Sequence, residues 1–235
     1  LAIKKVIKSN RFTYGPKVLQ FERSFAKFFG MKYSIMTNSG SSANLISIAS
    51  LFYKKKNPLK SGDEVIVPAV SWSTTYHPLQ QYGLKLKFVD IDINTLNIDY
   101  ELLERSITKK TKLIVAVSIL GNPAPLDKMA KLCKKKNIYF MEDNCESMGA
   151  ILNNKYCGTY GIMSTHSTFF SHHISTIEGG VIMTNRKELY DLSLSLRSHG
   201  WTRDIKLPSP IYKKEKNDFF EAYNFILPGY NVRPN

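Results

Sequence analysis

The sequence predicts an α/β fold in which a mostly parallel β-sheet is flanked by helices. Short apolar, β-branched runs alternate with segments of helical spacing, the pattern of an α/β layer architecture. Several of these runs end in small or acidic residues, and sheets of this kind bind ligands beyond their carboxyl ends. No internal repeat and no low-complexity linker breaks the alternation.

Tyr33 to Met36 reads as a strand and Ser42 to Tyr53 as a helix. Glu64 to Val67 is a β-rich run closed by Pro68, followed by a helix over Ser73 to Tyr82 and a strand over Leu86 to Val89. Leu113 to Val117 is apolar and β-branched, whereas Leu126, Met129, Ala130 and Cys133 recur at helical spacing up to Lys136. Ile138 to Met141, Ser167 to Phe170 and Val181 to Thr184 read as strands, and Lys187 to Ser198 as a helix. Thr202 to Phe220, rich in Lys, Pro and Asp, reads as a loop or lid.

At 235 residues the chain is long enough to bury a core without disulfides or metals. Hydrophobic residues make up 43% and charged residues 22%, which excludes a disordered chain. No apolar run approaches the ~18–20 residues of a membrane-spanning helix, and no signal-like stretch precedes Tyr14. The formal net charge of +14 admits anionic partners. The lysines cluster where helices end and loops begin, and no aromatics interleave with them, so neither a nucleic-acid nor a membrane partner is expected. Cys133, Cys145 and Cys157 contain no C-x-x-C pair, so buried thiols in a reducing cytoplasm are expected and no metal site.

Four segments carry candidate chemistry. Thr37-Asn38-Ser39-Gly40-Ser41-Ser42-Ala43-Asn44, between a strand and a helix, presents small residues and free helix-start N–H groups. It reads as a phosphate cup or as an ordinary Ser/Asn helix cap. Trp72 stands just past a strand, either as a stacking surface for an aromatic ring or at the edge of the core. In Glu142-Asp143-Asn144-Cys145-Glu146 a strand delivers acids to its carboxyl end, suited to holding a proton on a pyridine nitrogen, to Mg²⁺, or to capping a helix. His172 and His173 follow an aromatic run and precede a Glu-Gly-Gly turn. Adjacent on an extended backbone, they would point to opposite sides, one toward the site.

Taken in order, these segments resemble the nucleotide-sugar aminotransferase family (the DegT/DnrJ/EryC1 group) of fold type I pyridoxal-phosphate enzymes. The resemblance runs from Gly15-Pro16 to Gly229-Tyr230-Asn231 and includes Gly62 to Pro68, Glu142-Asp143, Ser167 and Leu196-Arg197-Ser198-His199-Gly200. It implies pyridoxal 5'-phosphate or pyridoxamine 5'-phosphate as cofactor, with Gly40, Ser41 and Ser167 on the phosphate, Trp72 on the ring and Asp143 on the pyridine nitrogen. Glu146 would be a weaker cofactor contact, and His173 a packing residue. Asn231 matches a family Asn that reaches the phosphate of a neighbouring subunit, which implies a homodimer with shared sites.

One departure bears on the reaction. The family's Schiff-base Lys stands five positions after the motif Ser; here that position is His172, and the next lysine is Lys187. An imidazole cannot form the covalent link. His at this position resembles the family's sugar 3-dehydratase branch, in which the His is the catalytic base and glutamate the amino donor. The implied substrate is a nucleotide-linked 4-keto-6-deoxyhexose, GDP-4-keto-6-deoxymannose fitting the local context best, in deoxysugar synthesis for lipopolysaccharide O-antigens. A related CDP-sugar branch uses an iron–sulfur cluster, but the cysteines here stand 12 apart and lack the close pair such a cluster needs. The alternatives are an aminotransferase with a displaced Lys and a catalytically silent cofactor-binding paralogue. The resemblance also implies a fragment: an approach segment over 1–14, a cofactor domain over 15–201, and, over 202–235, a loop and the start of a C-terminal region whose small domain is missing. The absence of an initiator Met and the departure of Asn235 from an expected apolar residue agree with this.

Overall fold

The computed structural model describes residues 2–10, 13–214 and 217–234. Leu1, Arg11 and Phe12 of the approach segment and Asn235 lie outside the described residues. The elements are α1 (Ala2–Lys8), α2 (Pro16–Phe28), β1 (Tyr33–Thr37), α3 (Gly40–Tyr53), β2 (Glu64–Pro68), α4 (Ser73–Gln81), β3 (Lys85–Val89), α5 (Tyr100–Ser106), β4 (Thr111–Val117), α6 (Leu126–Lys136) and β5 (Tyr139–Asp143). A small hairpin, β6 (Ile151–Leu152) and β7 (Lys155–Tyr156), precedes β8 (Met163–Ser167), β9 (Gly180–Thr184), α7 (Lys187–Arg197) and α8 (Asp218–Ala222).

Seven strands form one sheet in the order β1-β9-β8-β5-β4-β2-β3. β9 pairs antiparallel with both of its neighbours, and the other six strands run the same way. Except for the edge strand β3, the strands are largely buried on both faces, as in other mostly parallel sheets. Val65, Leu113 and Met141 pack on one side with Ile46 and Leu51 of α3 and Leu192 and Leu196 of α7. Their neighbours Ile66, Ile114 and Phe140 pack on the other side with Met129 and Cys133 of α6. A smaller cluster lies under α2, where Phe25 and Phe29 meet Val181 and Met183. The Lys134–Lys136 run occupies the last turn of α6, and Asn137 closes it in the left-handed conformation (φ 56°).

Two expectations are corrected. The strand expected over Ser167–Phe170 lies at Met163–Ser167, and the chain leaves the sheet at Thr168. The aromatic pair Phe169-Phe170 has the composition of a strand, whereas the true strand is polar (Ser164, Thr165, His166) yet fully buried between β5 and β9. The backbone at His172 is a turn, not an extended run: its N–H donates to the Phe169 carbonyl at 3.0 Å.

The segment after Thr202 is coil, but it is held to α7. Ser209 Oγ donates to the buried Asp191 carboxylate at 2.7 Å, and Lys187 Nζ reaches the Lys206 carbonyl at 3.2 Å. Beyond α8 the chain returns through bridges Trp201↔Phe225 and Ser198↔Asn231. Leu227, Tyr230 and Val232 pack on the main core, so residues 225–232 join the body of residues 15–201.

Candidate active site

Strands β1, β2, β5 and β8 deliver their carboxyl ends to one edge of the sheet, and every segment singled out in the sequence sits there. β1 ends at Thr37, and the chain turns directly into α3. Ser39 is the N-cap: its Oγ accepts the Ser42 N–H at 3.0 Å and lies 3.0 Å from Ser42 Oγ. The capping alternative therefore holds for Ser39. The N–H groups of Gly40 and Ser41 have no acceptor among the described hydrogen bonds, and Ser41 is exposed. A Cβ on Gly40 would fall 2.8 Å from Ser167 Cβ and 3.1 Å from Cys145 Sγ, so the cup and the end of β8 touch only because residue 40 is Gly. Gly180 closes the other side, where a Cβ would lie 2.1 Å from the Ser39 carbonyl oxygen. The Glu-Gly-Gly turn thus packs against the cup.

Alternation along β5 separates the two acids at its end. Asp143 faces the cup and is buried. Its Oδ2 accepts from Asn44 Nδ2 at 2.9 Å and Thr75 Oγ1 at 2.8 Å, and its Oδ1 accepts from the Cys145 N–H at 3.2 Å. No helix follows it, so it caps none. Glu142 faces the opposite side, where it accepts N–H bonds from Gly158, Tyr160 and Gly161 at 2.6–2.7 Å. Burial pushes this carboxyl up to about 7 against the pull of those donors. Glu146 is half-buried and uses Oε2 to hold the Leu120 N–H at 2.8 Å, which fixes the loop after β4. Burial and the neighbouring Asp143 carboxylate push the Cys145 thiol well up, leaving it neutral.

Trp72 is the N-cap residue of α4 and is 72% exposed, so its indole belongs to the surface of the site and not to the core edge. His172 is half-buried, with its ring edge-on to Phe169 at 6.4 Å between centroids. His173 is exposed, contrary to a packing role, because the turn directs it outward. Asn231 is exposed and accepts from Arg233 Nε at 3.3 Å. Its neighbour Val232 offers a carbonyl to the Asn38 N–H at 3.0 Å, which places this segment beside the cup.

The DegT/DnrJ/EryC1/StrS aminotransferase family matches residues 1–233. The chain belongs to this family. Among its relatives, GDP-4-keto-6-deoxy-D-mannose 3-dehydratase of Yersinia pseudotuberculosis is 57% identical over 234 residues, 99% of this chain and 60% of that protein. The E. coli enzyme of that name, solved with bound hydrated PLP, superposes with a TM-score of 0.96 at 56% identity, covering 99% of this chain and 60% of that one. A structure of the same dehydratase with a trapped PLP-glutamate geminal diamine gives 0.97 at 55% identity, covering 99% and 61%. A Helicobacter pylori nucleotide-sugar transaminase is 31% identical over 234 residues, all of this chain and 57% of that protein. The chain thus spans about 60% of the length of the dehydratases it matches.

The residues present fit the cofactor of this DegT/DnrJ/EryC1/StrS family. Two amide donors without acceptors suit a phosphate, an exposed indole suits a planar ring, and a buried carboxylate held by two side-chain donors suits a pyridinium. Sequence reasoning missed Asn44 and Thr75, which orient Asp143. Asn44 lies in the cup segment and Thr75 in the helix read over Ser73 to Tyr82, but only the fold shows that they converge. Thr165 completes the set, donating from Oγ1 to Asn44 Oδ1 at 2.6 Å and so fixing which end of that amide faces Asp143.

Proposed function

We propose that this chain carries the cofactor-binding part of a pyridoxal-phosphate/pyridoxamine-phosphate-dependent 3-dehydratase. Its substrate is a nucleotide-linked 4-keto-6-deoxyhexose, GDP-4-keto-6-deoxymannose, with glutamate as amino donor, in the cytoplasm. One observation carries the reading: His172 stands five positions after Ser167, at the edge of the site, and no lysine occurs between Ser167 and Lys187. The 57% identity to a dehydratase of that name supports it.

When bound, the cofactor supplies an amine for the sugar ketone and a ring that accepts electrons. Asp143 would hold the proton on the pyridine nitrogen; Asn44 and Thr75 keep its Oδ2 in place, and its Oδ1 accepts the Cys145 N–H. Gly40, Ser41 and Ser167 would hold the phosphate, and Trp72 would cover the ring. His172 would move the proton at the cofactor methylene that loss of the C3 hydroxyl requires. Asn231, exposed beside the cup, reaches the phosphate of a second copy in a homodimer.

The test is to supply glutamate, the cofactor and GDP-4-keto-6-deoxymannose and to identify the product by mass. Loss of water with no nitrogen retained is expected. An amino-sugar product would make the protein an aminotransferase, and cofactor binding without turnover would make it a silent paralogue. His172→Asn is expected to abolish water loss while leaving cofactor binding intact, and full activity in that variant refutes the assignment.

A further inference from the structure

The Leu196-Arg197-Ser198-His199-Gly200 segment is far along the chain from the site, yet Arg197 is fully buried. An arginine in a protein interior is retained at a high desolvation cost unless its charge and donors are engaged. Its Nη1 donates to Glu22 Oε1 at 2.7 Å and to the Met36 carbonyl at 2.7 Å. The same Glu22 oxygen accepts the Met36 N–H at 2.8 Å. The Tyr14 ring lies 4.5 Å from the guanidinium carbon. Both backbone groups of Met36, two residues before the first Asn/Ser of the cup, are thus tied to one buried ion pair.

The backbone of Arg197 reaches the cup by a second route. Its carbonyl accepts the Val232 N–H at 3.1 Å, and the Val232 carbonyl accepts the Asn38 N–H at 3.0 Å. The chain can pass this closely because residue 200 is Gly: a Cβ there would lie 1.6 Å from the Leu227 carbonyl oxygen. Residues 36 and 38 are therefore held from two sides by one residue. Thr37 Oγ1, between them, donates to the Ser39 carbonyl at 2.9 Å. Ser39 in turn caps the helix whose Gly40 and Ser41 N–H groups have no acceptor among the described hydrogen bonds.

We propose that Arg197 is a positioning residue for phosphate recognition: through Met36 and Val232 it sets the register of residues 36–39, and so the direction of the Gly40 and Ser41 N–H groups. This rests on the reading of the cup as the cofactor's phosphate site. A residue that merely supports the fold would affect every ligand of the site alike. One that aims two amide groups should matter most for the ligand that uses them.

The experiment compares pyridoxamine phosphate with pyridoxamine by equilibrium dialysis; both avoid condensation with surface lysines. Arg197→Lys keeps a charge opposite Glu22 but on a shorter side chain, which lacks the Nη1 position that donates to both Glu22 and Met36. Its dissociation constant for pyridoxamine phosphate should rise about tenfold and that for pyridoxamine less than about twofold, the scale of one charge-assisted hydrogen bond. Glu22→Gln, a milder change at the same node, should show the same split at about threefold and carries the test if Arg197→Lys fails to fold. Equal weakening of both ligands, or unchanged phosphate affinity in a folded variant, overturns the role of Arg197. A wild-type protein that binds the two ligands equally well would overturn the phosphate cup itself, and this role with it.

Discussion

Asp143 divides its carboxylate between two tasks. Oδ2 is fixed by Asn44 and Thr75, whereas Oδ1 accepts the Cys145 N–H at 3.2 Å and is the oxygen that the proposed function assigns to a ring nitrogen. The fixing donors follow from chemistry: Asn44 offers an N–H because its own oxygen is claimed by Thr165, and Thr75 is a β-branched hydroxyl in the first turn of α4. Removing one donor leaves a buried charge half satisfied. Thr75→Val should therefore cost about 1.5–3 kcal/mol of stability, the range for hydrogen bonds to charged groups. It should also weaken cofactor binding, since the carboxylate regains rotational freedom. Urea unfolding beside equilibrium dialysis checks both, and a variant matching the wild type in both would show that Asn44 alone orients Asp143.

At the level of elements, the site is a meeting of strand ends, and glycine decides how closely they meet. Gly40→Ala gains helix propensity in α3 but drives a methyl against Ser167 and Cys145. Ser167 sits in a strand paired on both sides, so the helix start must yield. A stability loss of about 1–3 kcal/mol is expected, as for other overpacked positions, together with a loss of phosphate-dependent affinity. Denaturant midpoints and dialysis measure the two, and a variant as stable as wild type with full affinity would show that the cup can shift freely. These ends were legible in the sequence because small residues, a Ser cap and strand-terminal acids leave local marks. β8 was not, because its Ser-Thr-His interior is polar and only its neighbours make it a strand. α2 had left a trace in Pro16 at its first turn and in the Phe21, Phe25, Phe29 spacing. The Glu22–Arg197 pair left none, since its partners stand 175 residues apart.

For the whole molecule, the face of the sheet under α2 carries two buried titratable groups whose effects on stability have opposite signs. His166 lies between Phe25 and Phe29, and burial pushes its imidazole down from 6.5 to about 3. The unfolded chain takes up this proton below 6.5 and the folded one does not, so stability falls as pH drops from 6.5 toward 3, by about 1.4 kcal/mol per pH unit. Glu142, beneath the Gly158–Gly161 turn, is pushed up from 4.5 to about 7. Here the folded state holds the extra proton between 4.5 and 7, so stability rises as pH falls through that window. A Cβ on Gly158 would lie 2.9 Å from His166 Nε2, and the Gly158 N–H donates to Glu142, so both groups share one turn. Between 4.5 and 6.5 the two slopes oppose each other, and below 4.5 His166 acts alone. His166→Leu should therefore uncover the rise on acidification from 7 to 4.5 and soften the decline from 4.5 to 3. Glu142→Gln should do the reverse, exposing a decline that begins near 6.5. A pH series of urea midpoints reads these slopes directly. Curves for His166→Leu and wild type that run parallel from pH 3 to 7 would mean that His166 takes up its proton alike in the folded and unfolded chain.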